Sequence, residues 1–190
     1  MTYTEGITVI EGPHNLTTNM LFELCISSVM SFDKDVLFID GRNSFDPYAL
    51  SKVAKYIGAD QRELFSRIHV VRAFTEYQMN ALIEGLYNVV EQWNPCILII
   101  SYLSSLFSDS DIRIFKSILE HLRSLTNSSC KIIVVTSYGK TNCDKLLASK
   151  ANRLISIKQL DDKTIRIIDD GNVYEHVHLP HGQMRLDTDR

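Results

Sequence analysis

Apolar residues along this chain gather in short continuous runs, separated by stretches where they recur every three or four positions. That rhythm predicts buried strands alternating with amphipathic helices. Thr8-Val9-Ile10 is β-branched and apolar, Gly12-Pro13-His14-Asn15 reads as a turn, and Leu16, Met20, Leu21, Leu24 and Ile26 resume at helical spacing. Val36-Leu37-Phe38-Ile39 is a second buried strand ended by Asp40, and Gly41-Arg42-Asn43-Ser44 is the loop at its carboxyl end. Asp46 and Pro47 open a helix as cap and first residue, Leu50, Val53, Ala54 and Ile57 give it an apolar face, and Gly58 ends it. Asp60 caps a short helix through Phe65, and Ile68 to Phe74 is the next strand.

The spacing of Leu82, Ile83, Leu86, Val89 and Val90 predicts a long helix from Glu76 to Trp93, closed by Asn94-Pro95. Cys96 to Ser101 is the most apolar strand and is expected at the centre of the sheet. Asp109 or Ser110 starts a helix with Ile114, Phe115, Ile118, Leu119, Leu122 and Leu125 on one side; Lys131 to Thr136 is a further strand, and a short helix ends near Lys150. From Arg153 onward only strands remain: Leu154 to Lys158, Thr164 to Ile168 and Val173 to His178, joined by Asp161-Asp162-Lys163 and Asp170-Gly171-Asn172. The expected fold is α/β, a mostly parallel sheet flanked by helices and followed by an antiparallel C-terminal β-meander. It forms a single domain over 1–190, with 1–150 as the parallel part and 151–190 as the antiparallel part.

Composition narrows the classes without naming one. The chain has 190 residues, 45% hydrophobic and 23% charged, close to the globular average, and no apolar run approaches the length that spans a bilayer. No membrane contact is expected, and the opening Met1-Thr2-Tyr3-Thr4-Glu5 lacks a basic-then-apolar leader, so a cytoplasmic protein is expected. The formal net charge of -3 means that any nucleic-acid contact has to come from a local patch. Cys25, Cys96, Cys130 and Cys143 form no C-x-x-C pair and read as reduced, structural residues.

The first strand, turn and helix have the layout of a phosphate-binding loop, G-x-x-x-x-G-K-[ST], in which glycines let backbone N–H groups close around phosphates, Lys reaches them and Ser/Thr holds Mg²⁺. With Gly12 on the first glycine, Thr17 takes the second, Thr18 the lysine and Asn19 the hydroxyl, so three of four functional positions are lost. The pocket is expected to keep its shape without gripping a triphosphate and its magnesium, with Asn15 or Thr17 capping the helix.

The order of elements and several local strings resemble the ATPase core of RecA-family recombinases, most closely the archaeal RadA type. Phe38-Ile39-Asp40-Gly41-Arg42-Asn43-Ser44-Phe45-Asp46-Pro47 is similar to that family's strand, its Asp-Thr-Glu-x-[Thr/Ser]-Phe string and the Arg-Pro after it. Ile68-His69-Val70-Val71-Arg72-Ala73-Phe74 is similar to its I-x-V-x-R-A-F strand, and Val177-His178-Leu179-Pro180-His181-Gly182 to its H-L-P-x-G turn. The resemblance implies a RecA-like, P-loop fold. It also implies catalytic positions, and these are vacant: Arg42 stands at the glutamate that polarises water, Ser101 at the metal-supporting aspartate and Tyr138 at the sensing glutamine. Losing these groups together with the lysine implies a pseudo-ATPase with no cofactor and no metal, because phosphoryl transfer rests on positioning and electrostatics.

The implied role is that of an accessory or mediator in DNA recombination or repair. It would act through a protein partner, a recombinase or another mediator among them, with a homodimer as the base-rate oligomer. The family's two DNA-binding loops are short here, and the first, Phe107-Ser108-Asp109-Ser110-Asp111, is acidic. The family's self-assembly segment lies N-terminal to the core, and only a few residues precede Ile7, which argues against a filament by that route. Two alternatives stay open. One is a module with weak affinity for single-stranded DNA, built on Lys140, Lys145, Lys150 and Arg153 with Tyr138 as a stacking ring. The other is a divergent nucleotide-binding protein with a relocated lysine such as Lys140. His176, His178 and His181 lack carboxylate or Cys companions at ligand spacing, Ser101, Ser104 and Ser105 lack a nucleophile elbow, and Asp161-Asp162 and Asp169-Asp170 read as turn residues.

Overall fold

A computed structural model describes residues 5–128, 130, 132–161 and 164–177. Asp162, His178, His181 and the expected Leu179-Pro180-His181-Gly182 turn lie outside the described residues. The elements run β1 (Gly6–Glu11), α1 (His14–Phe32), β2 (Val36–Asp40), α2 (Pro47–Tyr56), α3 (Gln61–Ser66), β3 (Ile68–Arg72), α4 (Glu76–Trp93) and β4 (Ile97–Ser101). They continue with α5 (Ile112–Ser128), β5 (Ile132–Ser137), α6 (Asn142–Lys150), β6 (Arg153–Gln159), β7 (Thr164–Asp169) and β8 (Asn172–Val177). Two 3-10 turns, Leu103–Leu106 and Asp109–Asp111, link β4 to α5.

All eight strands join one sheet in the order β3-β2-β4-β5-β1-β6-β7-β8. β1 to β6 pair in parallel, and β7 and β8 add on as antiparallel strands. β2 and β4 are buried along their whole length, as continuous apolar runs in a two-sided sheet must be, and β4 sits between β2 and β5 as expected of the most apolar strand. The expected division at residue 151 cuts the sheet in a different place from the one observed. β6 belongs to the parallel set, since Ile10 faces Ile155 across it, and the antiparallel part begins only with β7. Asn152 fixes this placement: its N–H donates to Ile7 O at 2.8 Å and its Oδ1 accepts from Ile7 N at 2.9 Å.

Helices cover both faces. One face buries α4, α5 and α6 against Ile7, Val9, Leu98, Ile100, Ile133 and Val135; the other buries α1 and α2 against Ile10, Phe38, Ile97, Ile99 and Val134. Among the described residues, no helix is long and apolar enough to cross a membrane. Capping follows the sequence at α2, where Asp46 accepts from Tyr48 N, and at α3, where Asp60 accepts from Arg62 N. It departs at α5, whose lead-in turn is capped by Ser108 through a reciprocal box with Asp111 instead of by Asp109 or Ser110.

β2 and β4 finish so close together that the next residue of β2 has no room for a side chain. A Cβ on Gly41 would lie 2.7 Å from the Ser101 carbonyl oxygen, while Gly41 N donates to that oxygen at 3.0 Å. A Gly41→Ala variant is therefore expected to lose about 2 kcal/mol of stability, as overpacked cores do. Urea denaturation gives the value, and an unchanged midpoint would contradict this contact.

Candidate functional site

The carboxyl ends of β2, β4, β5 and β1 converge with the first turn of α1, the region where open α/β sheets hold ligands. The local path of the chain there differs from a phosphate loop. Only Gly12 and Pro13 separate β1 from α1, so residues 14–17, which a G-x-x-x-x-G loop would leave open around an anion, are already helical. Pro13 is the N-cap residue and no side chain caps the helix, so neither Asn15 nor Thr17 has the capping role expected of it. Proline is tolerated at this place because it lacks the N–H that a helix start would leave without a partner. Residues 14–17 therefore do not form the expected open cradle.

Each of the positions selected from the sequence has another task. Gly12 allows close approach to β6, since a Cβ there would lie 3.0 Å from Ile157 Cβ and Ile157 O, and its N–H donates to Ser137 O at 3.2 Å. Thr17 is fully buried, and its hydroxyl reaches Pro13 O at 3.1 Å and His14 O at 3.2 Å. Thr18 Oγ1 lies 3.0 Å from His14 Nδ1, and Asn19 follows on α1, half-buried.

The space beside this first turn is filled by Tyr102, a residue the sequence reading passed over. Tyr102 follows β4 directly, is fully buried, and takes a left-handed backbone (φ 50°) that turns its side chain back under the sheet end. Its hydroxyl contacts Thr17 Oγ1 and lies 3.1 Å from His14 Nδ1, and its backbone N–H donates to Thr136 Oγ1 at 2.9 Å. The His14 ring meets it edge-on at 5.1 Å, and Tyr138 stacks on it at 4.6 Å. Arg42 completes the pile, with its guanidinium carbon 5.2 Å from the Tyr138 ring centre. Burial raises the Tyr102 phenol above its ordinary pKa, against the lowering effect of Thr17, which keeps it protonated at neutral pH.

Behind this stack lies a buried carboxylate. Asp40, fully inaccessible, accepts from Ser44 N at 2.8 Å, Phe45 N at 3.0 Å, Arg42 N at 3.2 Å, Ser44 Oγ at 3.1 Å and Ser101 Oγ at 3.0 Å. Arg72, at the end of β3, adds an ion pair at 3.1 Å. Burial by itself would raise the Asp40 carboxyl, but the backbone N–H groups of Phe45, Ser44 and Arg42 together with the Ser101 hydroxyl outweigh it and hold the group below its ordinary value. Ser101, matched to a metal-supporting carboxylate, is thus consumed as a donor to Asp40.

A cleft of about 620 Å³ opens on the other side of the β1 end, lined by Glu11, Gly12, Pro13, Tyr138, Gly139, Lys140, Ser156 and the end of β6. Burial and then the nearby Asp144 carboxylate raise the Glu11 carboxyl above its ordinary value, with the Ser156 hydroxyl 3.5 Å away opposing them. Asp144 itself is buried, accepts from Lys140 N and Thr141 N at 2.9 Å each, and takes the Ser104 hydroxyl.

Lys140, Lys145 and Lys150 are exposed in or just before α6, whereas Arg153 is half-buried. Lys140 lies in the loop before α6 and Lys150 is its last residue, about 13 Å along a nine-residue helix. Arg153 begins β6 and is tied to Asp169, with its Nε donating to Oδ1 at 2.7 Å, and that bond raises its pKa. Asp169 therefore pairs across the sheet instead of serving its turn. Compared with models of known protein families, the sequence matches none.

An Asp40→Asn variant retains one acceptor oxygen but turns an amide donor toward donors of Phe45 and Arg72, and is expected to cost about 3 kcal/mol at neutral pH. Because the folded carboxyl titrates below its unfolded value, its contribution is complete above about pH 4 and drains away as the pH falls through the folded value. Urea midpoints of wild type and variant should therefore converge in acid; a constant gap would contradict this role for Asp40.

Proposed function

We propose that the protein is a non-catalytic RecA/RadA-like paralogue, a pseudo-ATPase that serves as an accessory or mediator protein through protein contacts. The observation that carries this reading is Tyr102. A tyrosine ring and hydroxyl occupy the space beside the first turn of α1, hydrogen-bonded to Thr17 and His14, where the resembled family holds phosphates. Filling that space from within the chain means that a phosphate could enter it only if a buried aromatic residue left; the cleft that remains open, on the β6 side of Gly12 and Pro13, is lined by the Glu11 carboxyl as well as by Lys140. Displacing Tyr102 would expose a ring, break its stack on Tyr138 and remove the contact of its hydroxyl with Thr17.

Two further features support the same reading. The residue matched to the water-polarising glutamate, Arg42, lies over Tyr138, and a guanidinium cannot act as a base at neutral pH. The residue matched to the metal-supporting carboxylate, Ser101, has its hydroxyl turned to Asp40, and Asp40 has its oxygens committed to backbone and side-chain donors. The setting in DNA recombination or repair rests on the resemblance alone. The alternative, a single-strand-binding module built on the Lys140 to Arg153 set, is weakened at Arg153, whose guanidinium is engaged by Asp169, and keeps the exposed Lys140, Lys145 and Lys150.

A ligand that binds only the folded state raises the melting midpoint, so the direct test is thermal unfolding with ATP and Mg²⁺ at millimolar excess. No shift is expected for the wild-type chain. A saturable rise of several degrees, abolished when Tyr102 is left intact but Lys140 is changed to Ala, would sink the proposal in favour of a relocated phosphate ligand.

A further inference from the structure

α5 and α6 pack side by side and leave a groove of about 430 Å³ between them, lined by Lys116, Leu119, Glu120, Arg123, Leu146 and Lys150. Its floor is apolar: Leu119 is buried, and Leu146 is half-buried against the core. Its rim holds three exposed cations and one carboxylate, in a chain whose formal net charge is -3. Among the described residues no ion pair ties Lys116, Arg123 or Lys150, a state they share with other exposed cations such as Arg113 and Lys145; the groove differs in setting three of them around an apolar floor. Unpaired cations around an apolar floor, on a surface that is otherwise net acidic, are complementary to a ligand that brings both an aliphatic side chain and carboxylates.

We infer that the α5–α6 groove docks an acidic, amphipathic peptide segment of a partner protein, with Leu-type side chains on the Leu119 and Leu146 floor and Asp or Glu on the Lys116, Arg123 and Lys150 rim. A nucleic acid suits the groove less well. No aromatic side chain lines it, so bases have no ring to stack on. A long polyanion also runs beyond the patch and meets the remainder of a chain whose net charge is negative, whereas a short peptide can end where the groove ends. The inference goes beyond the reading given above and does not depend on it, since the groove lies on the helical face and shares no residue with the Tyr102 site.

The experiment is fluorescence anisotropy of the full chain with a labelled amphipathic peptide bearing Leu on one face and Glu on the other. The same peptide with Gln for Glu, the same peptide with Ser for Leu, and a labelled oligothymidylate are run beside it. The acidic peptide is expected to bind, with affinity that falls as salt rises, and each altered peptide to bind about tenfold more weakly or worse. The Lys116→Glu/Arg123→Glu double variant, and separately Lys150→Glu, change exposed side chains only, should melt as wild type does, and should weaken the acidic peptide by about tenfold. Absence of peptide binding overturns the inference, as does peptide binding that these variants leave unchanged. Oligothymidylate binding that is tighter than peptide binding and lost in the same variants overturns it in favour of a nucleic-acid surface.

Discussion

A carboxylate taken wholly out of water costs several kcal/mol unless nearly every lone pair finds a donor. Asp40 meets that requirement by gathering donors from three places at once. The loop just after β2 supplies the N–H groups of Arg42, Ser44 and Phe45, the end of β4 supplies the Ser101 hydroxyl, and the end of β3 supplies Arg72. Because the donors come from separate strands, satisfying one side chain fixes how those strand ends lie relative to one another. The tight approach of Gly41 to Ser101 and the inward fold of the loop after β2 are consequences of that demand. Position 40 thereby ceases to be a free acid, and the residues around it are spent as its donors.

With β4 ending in this way, Tyr102 has few places to go. Its left-handed backbone sends the ring between the β4 end and α1, and the early start of α1 at His14 supplies the hydroxyl with partners. These two features depend on each other. An open loop at residues 14–17 would leave the phenol hydroxyl without Thr17 and His14, and a buried phenol without partners is destabilising. A smaller residue at 102 would leave a void against Tyr138 and lose the contacts that void removes. The stack of His14, Tyr102, Tyr138 and Arg42 is the low-energy answer to both constraints.

Much of the fold was legible because it depends on local chemistry. α4 is bounded at Glu76 and Trp93 as its spacing implied, since Thr75 caps it and Asn94 turns left-handed just before Pro95. α2 begins where Asp46-Pro47 said it should. The misreadings share a different cause. Nothing within a few residues of Tyr102 shows that its hydroxyl meets Thr17, a partner 85 positions away. The Arg153 pairing with Asp169 and the Asn152 clamp on Ile7 are likewise decided by register across the sheet. One clue was available at the site: an aromatic residue directly after the most buried strand, where a ligand-binding end would be expected to carry small or polar groups. Pro13 was the other, because a proline so near the strand end favours an immediate helix start over a long open loop.

A site built to take a ligand keeps polar groups poised but unsatisfied, and that readiness is stored as instability until the ligand arrives. At the carboxyl end of this sheet Asp40, Tyr102, Thr17 and Ser101 all have partners drawn from the chain itself, whereas the buried Ser137 hydroxyl at the end of β5 has none among the described residues. Groups without internal partners occur elsewhere, and Lys116, Arg123 and Lys150 around Leu119 and Leu146 are among them. Donors at the strand ends are thus spent largely on the chain's own acceptors, while the cations around Leu119 and Leu146 stand open to solvent.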